Sequence, residues 1–237
     1  MAMAPRPSTL PLWPLPLTAG ALPLVAALLA LWIAGDAGLA PRCNPLLEGC
    51  VSVSRAARHG LANIIFRGLL LPAAVLQAIT WCVVQRWLQQ QGAVQRRVRA
   101  IALVGVIAGV FLVVYGSFLG TDGAIYQWLR RYGTVVYFGF TCLNMLFAGG
   151  AIRLLAQSRA LRAPWRLDLA LLVFCGVLVT MGVLNTLAAP WFDEATMDRL
   201  QNIAEWWAGL TFSLVFFALA LLWRHADLRS ELHSGAA

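Results

Sequence analysis

The chain has 237 residues, 60% of them hydrophobic and only 12% charged, with a mean hydropathy of +0.74. Soluble domains carry about 25% charged residues, so this composition excludes one and indicates an integral membrane protein. The net charge of +8 does not require a nucleic-acid partner, because the positive-inside rule accounts for excess arginine in cytoplasmic loops. Every basic residue is Arg, which fits either a GC-rich, Ala/Arg/Leu-biased genome or a use of guanidinium chemistry.

A spanning helix needs roughly 20 mostly apolar residues. Six runs satisfy this, near 11–34, 65–87, 99–120, 133–155, 168–189 and 202–223. They predict an all-α fold, a single-domain bundle of six transmembrane helices. An even number of spans puts both termini on one side. Alternating the loops places eleven Arg and three acids on the side of the termini, among them Arg6, Arg159, Arg162 and Arg166, against seven Arg and seven acids on the other. Both termini are therefore predicted to be cytoplasmic, and the composition favours a bacterial inner membrane. A cleaved signal peptide is the competing reading of the first run. That run is longer than the usual h-region of about 7–15 residues, and its loss would leave an odd number of spans.

Along the chain, Trp13, Trp32, Trp81, Trp87, Trp128, Trp165, Trp191, Trp206, Trp207 and Trp223 fall near span ends, where interfacial belts form. Gly105, Gly109, Gly116 and Gly120 occupy a stripe about 60° wide on the third span. Such a stripe serves close packing inside the bundle or a seam with a second copy or partner. Pro72, inside the second span, frees a backbone carbonyl that must find another partner.

The segment from Arg42 to Phe66 is the likeliest seat of function by composition, being polar and cysteine-bracketed between two apolar runs. Cys43 and Cys50, with six residues between them, fit a disulfide in an oxidising compartment. Cys82, Cys142 and Cys175 read as small hydrophobes. His59, His225 and His233 lie on opposite sides of the membrane, so no metal site is expected, and no cofactor motif is present. Ser54, His59 and Glu205 are weak candidates for catalysis such as acyl transfer, since a short loop specifies no triad geometry. Ser52, Ser54, Arg55, Arg58 and Arg67 suit an anionic headgroup, because guanidinium forks bind phosphate in bidentate fashion. A solvated positive loop is the plain alternative.

Glu205 opens the sixth span beside Trp206 and Trp207, where a carboxylate needs a partner or a wet cavity. Arg67, Asp122, Arg131, Tyr137 and Asn185 share its side. An outward-facing polar pocket centred on a Glu205–Arg67 pair is the expectation, against an interfacial acid at a helix N-terminus. A membrane lipid is the expected ligand.

These residues resemble the Frag/DRAM/Sfk family of six-span proteins, which includes the post-GPI-attachment lipid-remodelling factor and the damage-regulated autophagy modulators. Its first-loop pattern is similar to Cys43, then Val51 to Ala57, then Phe66 and Arg67. Asp122 and the Glu205–Trp206 pair match two further motifs. The prolines of the family pattern are absent around 49–51 and 61–63, and Arg130 and Arg131 stand where many members have a His. The resemblance implies a protein that works on or with membrane lipids, by headgroup binding or acyl remodelling. It leaves open whether the chain is an enzyme. A non-catalytic scaffold docking a partner through the glycine stripe is the alternative.

Overall fold

A computed structural model describes residues 8–158 and 167–232, so Arg6, Arg159, Arg162, Trp165, Arg166 and His233 lie outside the described residues. The helices are α1 (Pro14–Asp36), α2 (Pro45–Glu48), α3 (Val53–Ala56), α4 (Gly60–Gln90), α5 (Arg96–Ser117), α6 (Ala124–Gln157), α7 (Leu167–Ala188) and α8 (Glu194–His225). Six of them, α1 and α4 to α8, are long and apolar enough to cross a membrane. They coincide with the six apolar runs, but α4, α6 and α8 extend well past them. At 1.5 Å per residue the 34 residues of α6 reach about 51 Å, against a hydrocarbon core of about 30 Å. Both polar ends of such a helix therefore project beyond the apolar layer.

The six long helices close into a ring in chain order, each packing on its neighbours in sequence and α8 returning to α1. The all-α reading gains one addition. Strand β1 (Ser8–Pro11) pairs antiparallel with β2 (Arg229–Leu232), with Leu10 opposite Ser230. This ribbon holds the start of α1 and the end of α8 at one end of the bundle, where the Arg224 guanidinium also lies over the Trp13 ring. The segment between α1 and α4 lies at the opposite end.

The glycine stripe is used inside the chain. A Cβ at Gly105 would collide with Trp81, one at Gly109 would meet Ala74 O and Ala78, and one at Gly116 would meet Leu70 and Leu71, all on α4. The α4 helix therefore covers the face that a partner would need. On the other side of the ring, a Cβ at Gly20 of α1 would lie 2.9 Å from both Phe216 Cβ and Ser213 O of α8.

The tryptophans divide in a way the sequence reading missed. Trp32, Trp128, Trp191 and Trp207 are exposed, as anchors should be, but Trp81, Trp87, Trp206 and Trp223 are buried in the core. Position near a span end does not separate the two groups, because the face of the helix decides which way a ring points.

One polar network crosses the interior. Pro23 sits inside α1 and has no N–H to donate to Ala19 O, four residues back. Gln77 of α4 supplies the missing donor, its Nε2 lying 3.1 Å from Ala19 O, while its Oε1 accepts from the Tyr137 hydroxyl of α6 at 3.0 Å. Three helices are thus joined through a carbonyl that the proline released. Gln77→Leu strands both partners in an apolar interior, at a cost of about 1–3 kcal/mol. A clear fall in the apparent Tm of the solubilised protein is expected, while Gln85→Leu, on the same helix but outside this network, should lower it less.

Candidate functional site

The first loop is an ordered cap. Asn44 caps α2, its side chain accepting from Leu46 N at 3.1 Å, and Glu48 Oε1 accepts the Asn44 amide at 2.8 Å. Cys43 and Cys50 are joined by a disulfide with their Cα atoms 6.6 Å apart. Ser52 caps α3, its hydroxyl accepting from Arg55 N at 3.1 Å. Between the two short helices Gly49 adopts φ 63°, and a Cβ there would run into Arg199 O. Glycine alone satisfies both demands.

The N-terminal half of α8 holds this cap in place. Arg199 Nε donates to Glu48 O at 3.2 Å, Asn202 Nδ2 to Gly49 O at 2.8 Å, Trp206 Nε1 to Val51 O at 2.9 Å and Trp207 Nε1 to Leu46 O at 3.1 Å. Residues 199, 202 and 206 share one helix face by their spacing. In the opposite sense, Glu205 Oε1 accepts the Ser54 amide at 3.2 Å, and Arg55 pairs with Asp198. The start of α8 is fixed by Asp193, which accepts from the hydroxyl and amide of Thr196. Those bonds, the hydroxyl first, hold the exposed Asp193 carboxyl below the usual carboxylate range.

Beneath the cap lies a cavity of ≈ 320 Å³, bounded by α1, α4, α5, α6 and α8 and roofed by Leu46 and Val53. Its walls are almost wholly apolar, with Phe66, Leu70, Leu112 and Phe138 prominent. Polar groups are few: Tyr115, Thr134, Tyr137 and Ser213, and one carboxylate, Glu205, beneath the cap. Tyr137, bound to Gln77, brings the interior network to the cavity wall. Arg58 Nε is buried and has no hydrogen-bond partner among the described residues.

The sequence-predicted residues separate around this geometry. Glu205 lines the cavity, and Ser54 touches it through the Glu205 bond. Arg58 is half-buried and is not among the lining residues. Ser52 is a helix cap, and Ser54 Oγ lies 3.1 Å from Ser52 Oγ. His59 is exposed at the start of α4 and makes no hydrogen bond to Ser54 among the described contacts. Arg67 is half-buried and forms no ion pair among the described residues, so the expected Glu205–Arg67 pair gives way to Glu205 bound to the Ser54 amide. Asp122 and Arg131 are exposed at the α5–α6 end, and Asn185 lies on α7 away from the cavity lining. Arg130, where the family resemblance expects a His, donates to Phe118 O at 2.9 Å and Thr121 O at 2.5 Å and so caps the end of α5.

The apolar lining itself carried no legible signal, since leucine and phenylalanine also face lipid. Gln77, Pro23 and Tyr137 did carry one, being polar or helix-breaking residues inside spans. Compared with protein-family models, curated proteins and solved structures, the chain matches none.

Two glycines in the left-handed region allow a matched test of the cap. Gly38→Ala meets open space and should cost only the backbone strain of roughly 1–2 kcal/mol. Gly49→Ala adds the collision with Arg199 O, so it should lower the Tm further and expose the 42–59 segment to protease.

Proposed function

We propose that this chain is a multi-pass membrane protein with both termini cytoplasmic, and that it binds a phospholipid or lysolipid in the capped cavity facing the outer leaflet. The observation that carries this reading is the cavity itself: an apolar chamber of ≈ 320 Å³ with one carboxylate beneath its roof. Binding sites for amphiphiles combine a predominantly apolar lining with a few convergent polar groups. The acyl portion fits the apolar walls, Arg58 suits the phosphate, and Glu205 orients a headgroup hydroxyl or amine.

The arginine asymmetry supports the orientation, and the terminal ribbon supports placing both termini together. The compositional bias supports a bacterial inner membrane. The first-loop and Glu205–Trp206 motifs support kinship with the Frag/DRAM/Sfk proteins. That no hydrogen bond joins Ser54 to His59 among the described residues favours binding over acyl transfer, and the packing of α4 on the glycine stripe disfavours the scaffold reading.

Native mass spectrometry of the protein incubated with mixed lysophospholipids and diacyl phospholipids tests this. Retained lipid is expected on the wild type. Glu205→Gln keeps an acceptor for the Ser54 amide but removes the charge, and should weaken retention about tenfold, the scale of one charge-assisted hydrogen bond. Leu70→Trp, which fills the chamber, should abolish it. Equal adducts on all three proteins would refute the pocket.

A further inference from the structure

Of the residues lining the cavity, two are exposed: Leu28 of α1, at 51%, and Gly209 of α8. They stand on neighbouring helices. The two helices run antiparallel from the terminal ribbon and touch closely where Gly20 meets Ser213 and Phe216. Eight residues further along α1 is Leu28, and seven back along α8 from Phe216 is Gly209, so the two exposed lining positions stand at similar heights on adjacent helices. Leu24 and Leu210 flank them, half-buried. Leu46 of the cap bounds this stretch above, held by Trp207 through its carbonyl, and the Gly20 contact bounds it below. The exposed part of the cavity lining thus belongs to α1 and α8.

Leu28 lies eight residues before the end of α1, a depth of about 12 Å, where a helix crossing a membrane is surrounded by hydrocarbon. A Cβ at Gly209 would meet no heavy atom within 4 Å. We propose that the α1–α8 gap is a lateral portal that admits one acyl chain of a bilayer lipid into the cavity, with Gly209 as its sill. The proposal rests on the lipid-binding reading. It commits to a single chain because the exposed lining is one residue on each of two helices, Leu28 and Gly209. Glu205, one turn before Gly209, leaves the polar part of the lipid at the level of the cap while the chain passes below.

The test uses the full chain in vesicles containing phosphatidylcholine with a photoreactive diazirine in one acyl chain, and mass spectrometry to locate the label. Wild type should be labelled at the interior positions Leu70 and Leu112. Gly209→Trp and, independently, Leu28→Trp should each reduce interior labelling by about tenfold or more, the scale of a lost binding step. Gly182→Trp, at an exposed and open glycine on α7, should leave it unchanged. Full interior labelling in both portal variants would overturn the portal while leaving the lipid pocket standing. Absence of interior labelling in the wild type would overturn the pocket and the portal with it.

Discussion

The interaction on which the rest of the site depends is the grip of α8 on the first loop. An irregular backbone at the edge of a membrane must find hydrogen-bond partners within the protein. Four α8 side chains, Arg199, Asn202, Trp206 and Trp207, supply donors to loop carbonyls, and Glu205 accepts a loop amide. Without them the carbonyls of Leu46, Glu48, Gly49 and Val51 would lose their side-chain donors. With them, the loop becomes a roof. Glu205 thus serves two ends, holding the roof through one oxygen and presenting a carboxylate to the cavity.

Below the roof, the chamber exists because the ring of helices is braced without being filled. Pro23 deprives Ala19 O of its helical donor, and Gln77 replaces it while binding Tyr137. That bridge ties α1, α4 and α6 together within the packed core, and Tyr137 carries it to the cavity wall. Close approach is concentrated elsewhere, at the glycines of α5 against α4 and at Gly20 against α8. Tight seams and an open centre are complementary consequences of where the small residues fall.

The helical architecture was legible because a twenty-residue apolar run has few alternatives in water or lipid. The disulfide was legible from spacing and from its place in a polar loop. Glu205 stood out as a carboxylate within an apolar span, but its partner was misassigned to Arg67. Charge complementarity is visible in a sequence, whereas a backbone amide such as that of Ser54 looks the same at every position. The buried tryptophans were invisible for a related reason: Trp206 and Trp207 are adjacent letters, yet one is buried and the other exposed, and only the helix face separates them. The cavity could not be read at all, since a leucine facing a chamber and one facing lipid are chemically identical. The terminal ribbon pairs segments more than 200 residues apart and carries no hydrophobic pattern to announce it.

The central claim is that the chamber under the cap holds lipid while α8 keeps the loop closed over it. A high-resolution structure of the protein in lipid nanodiscs tests this most directly. The account predicts elongated density running from Glu205 toward Pro23, with Trp206 still bonded to Val51 O. A chamber collapsed onto Leu70 and Phe138, or a loop lifted away from α8, would contradict it.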